Sequence, residues 1–251
     1  MQKFKNKVAL ITGATSGIGK ATALDFIENG ATVIITGRFQ NTIDETVKEL
    51  GSSARGIVSD AGKMSDLLQL HNKVKSLSPQ IDVLYVNAGY GKYAPLESIN
   101  EGHFDEQFNV IVKGTLFTVQ QILPLMKEGG SIILNTSIVT EIGMPNSAVY
   151  SAAKSAVQSF VKTFAAELCS KKIRINAVSP GPINTNYFDR SKLTQEQIEK
   201  FAGSVFPQIP LGRFGQPFEI AKAVTFLAPE DASFIYGTEL FVDGGFPKIK
   251  M

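Results

Sequence analysis

Short apolar runs alternate with helix-period stretches from one end of this chain to the other, and that alternation limits its fold more than any other feature. The runs occupy residues 8–12, 32–36, 56–59, 83–87, 131–136, 173–178 and 240–242. Nearly all are β-branched or leucine-rich and lack polar alternation, which suits strands buried on both faces of a parallel sheet. Between them, residues 17–29, 42–50, 64–77, 101–126, 149–170 and 217–227 carry helical periodicity. Strand, helix, strand, repeated this way, predicts an α/β doubly wound sheet with helices on both faces. No repeat, low-complexity segment or linker interrupts the pattern, so residues 1–251 read as one domain. The one long irregular piece, residues 180–216, has the length of a lid or substrate-binding loop.

Composition narrows the function classes. The formal charge is +2 with no basic run, which argues against a nucleic-acid partner. A single cysteine, Cys169, excludes an internal disulfide and fits a reducing cytoplasm. It falls in a helix-period stretch and reads as a small buried hydrophobe. The first seven residues lack the apolar stretch of a signal peptide, and no run approaches the roughly 18 apolar residues of a membrane span. A cytoplasmic protein without a membrane partner is expected. His71 and His103 stand apart, reading as surface residues, and no metal site is expected.

Two places carry recognisable chemistry. The first apolar run leads into Thr12-Gly13-Ala14-Thr15-Ser16-Gly17-Ile18-Gly19. Glycines in a strand-to-helix turn let the backbone approach a pyrophosphate, which then rests on the helix N-terminus. The second is Tyr150-Ser-Ala-Ala-Lys154, with Ser137 upstream. Side chains four apart on a helix share a face, and an ammonium beside a phenol favours the phenolate. Such a tyrosine can exchange a proton with an alcohol or ketone oxygen. Six tyrosines in 251 residues give about 0.5 such pairs by chance, so the weight comes from what accompanies the pair.

What accompanies it resembles the short-chain dehydrogenase/reductase family. The resemblance rests on the Gly-x-x-x-Gly-x-Gly turn, Asn87-Ala88-Gly89, Ser137, Tyr150-x-x-x-Lys154, Pro180-Gly181 and the Val242-Asp243-Gly244-Gly245 ending, and it covers essentially the whole chain. It implies a single-domain Rossmann fold with seven parallel strands in the order 3-2-1-4-5-6-7, hydride transfer on a nicotinamide, and a homotetramer. It also implies roles for single residues. Ser137, Tyr150 and Lys154 are the catalytic set, with Tyr150 as general acid/base and Lys154 also bonding the nicotinamide ribose. Gly13, Thr15, Ser16, Gly17, Ile18 and Gly19 cradle the pyrophosphate. Asn87, Ala88 and Gly89 support the sheet centre and line the cofactor, Pro180 and Gly181 bind the cofactor too, and Ile183 and Thr185 hold the nicotinamide carboxamide. Asp60, followed by Ala61, either bonds the adenine amine or caps the next helix.

Cofactor choice turns on Gly37 and Arg38. A carboxylate at the end of the second strand would bond the adenosine ribose of NAD(H) and repel a 2′-phosphate. Gly37 stands where NAD-preferring relatives carry Asp, and the Arg38 guanidinium suits a phosphate, so NADP(H) is favoured over NAD(H). Against it, Ser16 lacks the basic side chain many NADPH-preferring relatives place in the turn, and Arg38 has the alternative of lying over the adenine.

One position departs from the family. Ile111 stands where an Asn helps hold a water for proton relay to the lysine, and Asn109, two residues back, points to nearly the opposite side. Proton delivery then relies on backbone carbonyl or is slowed. Around the catalytic serine and in the lid, Ile138, Val139, Ile142, Met144, Tyr187, Phe188 and Phe206, with Tyr90, suggest an apolar pocket for a hydrophobic ketone or secondary alcohol. Tyr90, Gly91 and Tyr93 either wall that pocket or pack on the surface. The leading expectation is an NAD(P)H-dependent carbonyl reductase. The alternatives are a 3-ketoacyl-[acyl carrier protein] reductase, for which Lys113 and Lys127 make a thin basic patch, and a dinucleotide-binding sensor.

Overall fold

The computed structural model describes residues 2–185, 203 and 206–246. Its centre is a parallel sheet ordered β3-β2-β1-β4-β5-β6-β7. The strands are β1 (Val8–Ile11), β2 (Thr32–Gly37), β3 (Ala54–Val58), β4 (Ile81–Val86), β5 (Met126–Asn135), β6 (Arg174–Pro180) and β7 (Glu239–Val242). The order reverses between β1 and β4, and open sheets of this kind bind ligands beyond their carboxyl ends at that crevice. Helices α1 (Gly17–Glu28), α2 (Gln40–Leu50), α3 (Met64–Leu77), α4 (Glu101–Gln107), α5 (Gly114–Ile122), α6 (Ala148–Leu168) and α7 (Pro217–Leu227) cover the sheet.

Absence of polar alternation in the strands is explained by what lies on each side. One face buries Leu10, Ile34, Leu84, Ile132 and Ile175 against Leu70 of α3, Val119 of α5 and Val157 and Val161 of α6. The other buries Ile11, Ile35, Tyr85, Ile133 and Val178 against Phe26 of α1 and Ile220 and Val224 of α7. Each such side chain contributes roughly 1.5–3 kcal/mol by leaving water. The α6 stripe Val157, Val161, Phe164 and Leu168 lies in this core, with Phe160 packed against it.

Two buried polar groups join distant parts of the chain. The Asp25 carboxylate on α1 accepts from the Thr225 hydroxyl on α7 at 2.6 Å and from Lys222. The Arg174 guanidinium at the start of β6 donates to the carbonyls of Leu227, Ala228, Pro229 and Ala232 at 2.6–3.2 Å. It places a cation at the carbonyl end of α7, where the helix dipole favours one.

Several expectations need correction. Residues 101–126 are not one helix: a π-helical turn, Phe108–Lys113, separates α4 from α5, a 3-10 turn holding Pro124 follows, and β5 begins at Met126. Proline has no N–H to continue a helix. Cys169 is exposed, because it stands one residue past Leu168, off the buried stripe. His103 is buried rather than superficial, with Nε2 3.1 Å from Gln107 Nε2 one turn along, and His71 is half-buried with Nδ1 3.1 Å from the Gln121 carbonyl. Among the described residues, no helix is long and apolar enough to cross a membrane.

Candidate active site

The glycine turn and the end of β4 are pressed together at the crevice. Gly13 has φ +63°, and a methyl there would lie 2.8 Å from Ala88 Cα. One at Gly19 would lie 2.6 Å from the Gly13 carbonyl and 2.7 Å from Asn87 Nδ2. Only glycine permits that approach. Asn87 holds the contact in place: its Nδ2 donates to the carbonyls of Thr12 and Gly13, both at 3.1 Å. The Thr12 hydroxyl in turn accepts from the backbone N–H groups of Asn87 and Ala88 at 3.0 and 3.1 Å.

The helix that follows is suited to an anion. Ser16 at the head of α1 makes no side-chain capping bond, and the first turn carries no acidic residue. Gly17 has φ +53°, and a methyl there would lie 3.5 Å from Thr185 Cγ2, so the segment after β6 crosses the turn. Ile18 packs against the core beneath. This glycine-rich turn at a helix N-terminus fits a dinucleotide pyrophosphate.

At the end of β2, Gly37 is buried, and a methyl on it would meet Thr15 Cγ2 at 2.6 Å. Arg38 is exposed, its Cζ 5.5 Å from the Phe39 ring centroid and 5.9 Å from that of Tyr90. The Tyr90 hydroxyl donates to Glu106 on α4, which also accepts from Lys92. Burial and the Glu106 carboxylate push the Tyr90 hydroxyl up to about 12, and the Lys92 ammonium and that hydroxyl hold Glu106 below the usual carboxylate range. Asp60 does not stand at the head of α3, where Lys63 is the first flanking residue. Its Oδ1 accepts from the Gly62 N–H at 2.9 Å. The Ala61 carbonyl lies 2.7 Å from where a methyl on Gly114 would sit, so Gly114 sets how closely α5 approaches the β3–α3 turn.

Ser137 follows β5, 8% exposed, and heads the short turn Ile138–Thr140. Tyr150 and Lys154 lie one turn apart on α6, with the Lys154 Nζ 5.9 Å from the Tyr150 ring centroid. Lys154 is 4% exposed and donates to the Asn135 carbonyl at 2.6 Å, which ties α6 to the end of β5. Burial pushes its ammonium down to about 8. A methyl on Gly89 would lie 3.8 Å from Lys154 Nζ and 3.4 Å from Ile111 Cγ1. Ile111 therefore does reach the lysine's surroundings, at 1% exposure, while its carbonyl accepts the Thr115 hydroxyl at 2.6 Å. Asn109 is engaged elsewhere, accepting from Lys113.

The pocket residues divide into groups. Ile138 is buried with Ile209 and Phe246, and Ile142, Phe214 and Phe241 pack on this cluster. Val139 is buried and Met144 half-buried. Phe206 is 40% exposed, with its ring 4.5 Å from that of Phe214. Tyr187 and Phe188 lie outside the described residues. Gly181 presses on the end of β7, where a methyl would sit 2.5 Å from Asp243 Cα, and Ile183 bridges to Gly215. Of the two loop tyrosines, Tyr93 rather than Tyr90 meets Tyr150, edge to face, with centroids 5.9 Å apart at 73°. Its ring folds back over Gly91, where a methyl would lie 2.8 Å from the Tyr93 hydroxyl. Lys127 is not at the mouth: it sits near the amino end of β5, at the opposite edge of the sheet from Ser137.

Comparison with known proteins agrees with this arrangement. The family model described as enoyl-(acyl carrier protein) reductase matches residues 13–247. A 3-oxoacyl-[acyl-carrier-protein] reductase of Thermotoga maritima is 38% identical over 248 residues, covering 97% of this chain and 98% of its own. A solved structure described as a short chain dehydrogenase/reductase family protein superposes with a TM-score of 0.85 at 33% identity, covering 98% of this chain and 100% of its own. A blue fluorescent protein from a metagenomic library, solved in complex with NADPH, has a TM-score of 0.88 at 30% identity over 97% of this chain and 99% of its own. With the glycine turn, the β1/β4 crevice and the Tyr150–Lys154 pair in one fold, the chain belongs to the short-chain dehydrogenase/reductase family of oxidoreductases.

Proposed function

We propose that this protein is an NAD(P)H-dependent carbonyl reductase that reversibly reduces hydrophobic ketones to secondary alcohols, with NADP(H) preferred. The observation that carries the reading is the buried Lys154 ammonium by the Tyr150 ring, bonded to the Asn135 carbonyl two residues before Ser137 at the carboxyl edge of the sheet. The residues at the crevice fit a dinucleotide, with the pyrophosphate on the α1 N-terminus and Arg38 at the adenosine end. A bound reduced nicotinamide supplies the hydride to the carbonyl carbon. The chain's own groups manage the oxygen. Ser137 donates a hydrogen bond to it as charge develops, and Tyr150 passes it a proton. Lys154 keeps positive charge next to the phenol and bonds the ribose, so the tyrosine gives up its proton at a working pH.

The apolar side chains of Ile138, Val139 and Ile142 beside Ser137 favour hydrophobic ketones over acids. Tyr93 against Tyr150 adds an aromatic wall to them. NADPH and NADH oxidation, followed separately with an aryl ketone as acceptor, tests the reading. Turnover with NADPH faster than with NADH is expected; binding of both with turnover of neither would sink it.

The likeness to the Thermotoga maritima enzyme favours a second reading, a 3-ketoacyl-[acyl carrier protein] reductase. Lys127 lies too far from Ser137 to greet an acidic carrier there, which keeps this reading second. Salt-sensitive turnover of a carrier-bound 3-ketoacyl group would reverse the order. The expected homotetramer is supported by exposed Phe104 on α4 and Leu116 on α5, and light scattering tests it.

A further inference from the structure

Arg38 is exposed at the adenosine end, yet the fold does not leave it free. Among the described residues, no carboxylate lies within ion-pair distance of it. Its guanidinium instead stands by two rings, Phe39 at 5.5 Å and Tyr90 at 5.9 Å. Phe39 is 59% exposed and is simply the next residue in the chain. Tyr90 is different. It reaches Arg38 from the end of β4, across β1, and is fixed at its far end by the hydroxyl bond to Glu106. Glu106 in turn is paired with Lys92, so its negative charge is compensated. The other nearby carboxylate, Asp60, is occupied by the Gly62 N–H.

We infer that Tyr90, anchored by Glu106, is a positioning residue that holds the Arg38 guanidinium for the 2′-phosphate of NADP(H). The inference rests on the NADP(H) preference proposed above. A guanidinium attracted by an aromatic ring spends none of its N–H donors on a carboxylate, so they stay available to a phosphate, and the ring reduces the rotamer freedom lost on binding. A phenol fixed at its hydroxyl is a better platform than a freely rotating ring. Tyr90 acts here through Arg38 and needs no contact with the reacting atoms.

The test uses NADP⁺ and NAD⁺, which differ only in the 2′-phosphate, titrated calorimetrically into the parent protein and three variants. Tyr90→Leu is expected to weaken NADP⁺ about three- to tenfold while changing NAD⁺ less than about twofold. Tyr90→Phe keeps the ring but gives up the Glu106 anchor and should recover only part of the loss. Equal weakening of both nucleotides, or none with Tyr90→Leu, overturns the inference. Arg38→Ala separates the two ideas. If it binds NADP⁺ as the parent does, the NADP(H) preference itself fails. If it loses NADP⁺ affinity while Tyr90→Leu does not, only the role of Tyr90 fails.

Discussion

Lys154 donates to the Asn135 carbonyl at 2.6 Å while its Nζ lies 5.9 Å from the Tyr150 ring centroid. One ammonium thus joins the end of the central sheet to the proposed proton donor. Because burial brings that ammonium down to about 8, its charge is present below pH 8 and disappears as the pH rises through it. The rate of ketone reduction should fall on the alkaline side from about pH 8, approaching tenfold per pH unit. A pH–rate profile flat to pH 10 would show that the charge is not needed.

The same burial makes Lys154 a cost to folding. Its folded value of about 8 lies below its ordinary 10.5, so the unfolded chain binds more protons between those values. The penalty is full below pH 8 and disappears as the pH rises to about 10.5. Lys154→Met should therefore abolish most activity yet stabilise the fold at pH 7 by up to about 3 kcal/mol, less about 1 kcal/mol for the abandoned Asn135 carbonyl. Urea unfolding at pH 7 and pH 10.5 checks this: the gain should be present at the first and gone at the second.

Ile111 faces the same ammonium across Gly89. An asparagine there would bring a carboxamide acceptor into a site that is 1% exposed. Ile111→Asn is expected to leave NADP⁺ affinity within twofold and to raise turnover about tenfold, with the alkaline limb moved to higher pH. A slower variant would show that no relay through this position is used.

Gly37→Asp is the natural substitution for attracting NAD(H), but the added Cβ would meet the Thr15 methyl at 2.6 Å. On its own the change should weaken both nucleotides. Gly37→Asp combined with Thr15→Ser removes the methyl and should bind NAD⁺ in preference to NADP⁺. Parallel titrations of the single and double variants settle the point. A single variant that binds NAD⁺ tightly would mean the turn yields more readily than its packing implies.

Arg174 has no carboxylate partner among the described residues, only the carbonyl groups at the end of α7 and the turn beyond it. Arg174→Met leaves those carbonyls unpaired in the interior and should cost about 3–5 kcal/mol. Arg174→Lys, with a smaller, differently shaped head, should recover part of the loss. Denaturation midpoints of the two variants should fall in that order.

Much of this arrangement was legible in the residues. Apolar runs without alternation marked strands buried on both faces, and the glycine turn and the Tyr150–Lys154 spacing marked the crevice and the catalytic helix. The π-helical turn was not legible, because Phe108-Asn-Val-Ile-Val-Lys113 keeps an ordinary helical period. The turn meets parts of the chain distant in sequence, with Val110 near Gly62 and Ile111 near Gly89, and no local period records such neighbours. The same holds for Tyr90 and Tyr93. Three residues apart in a loop, they turn to opposite ends of the site, and only Gly91, which leaves room for the Tyr93 ring, hinted at it. Cys169 sat one step past a buried stripe, and a single helical step of about 100° moves a side chain off the face.

The Asp25–Thr225 bond closes a gap of 200 residues, nearly the whole chain. At about 5–20 residues per second of synthesis, α1 emerges from the ribosome about 10–40 s before the helix that covers it. During that interval the part of the sheet face that α7 covers has no roof, and a buried carboxylate has neither its hydroxyl nor its ammonium partner. Such a protein completes its second core only at the end of translation. Prematurely terminated chains lacking α7 would be substrates for chaperones and proteases, not smaller working enzymes.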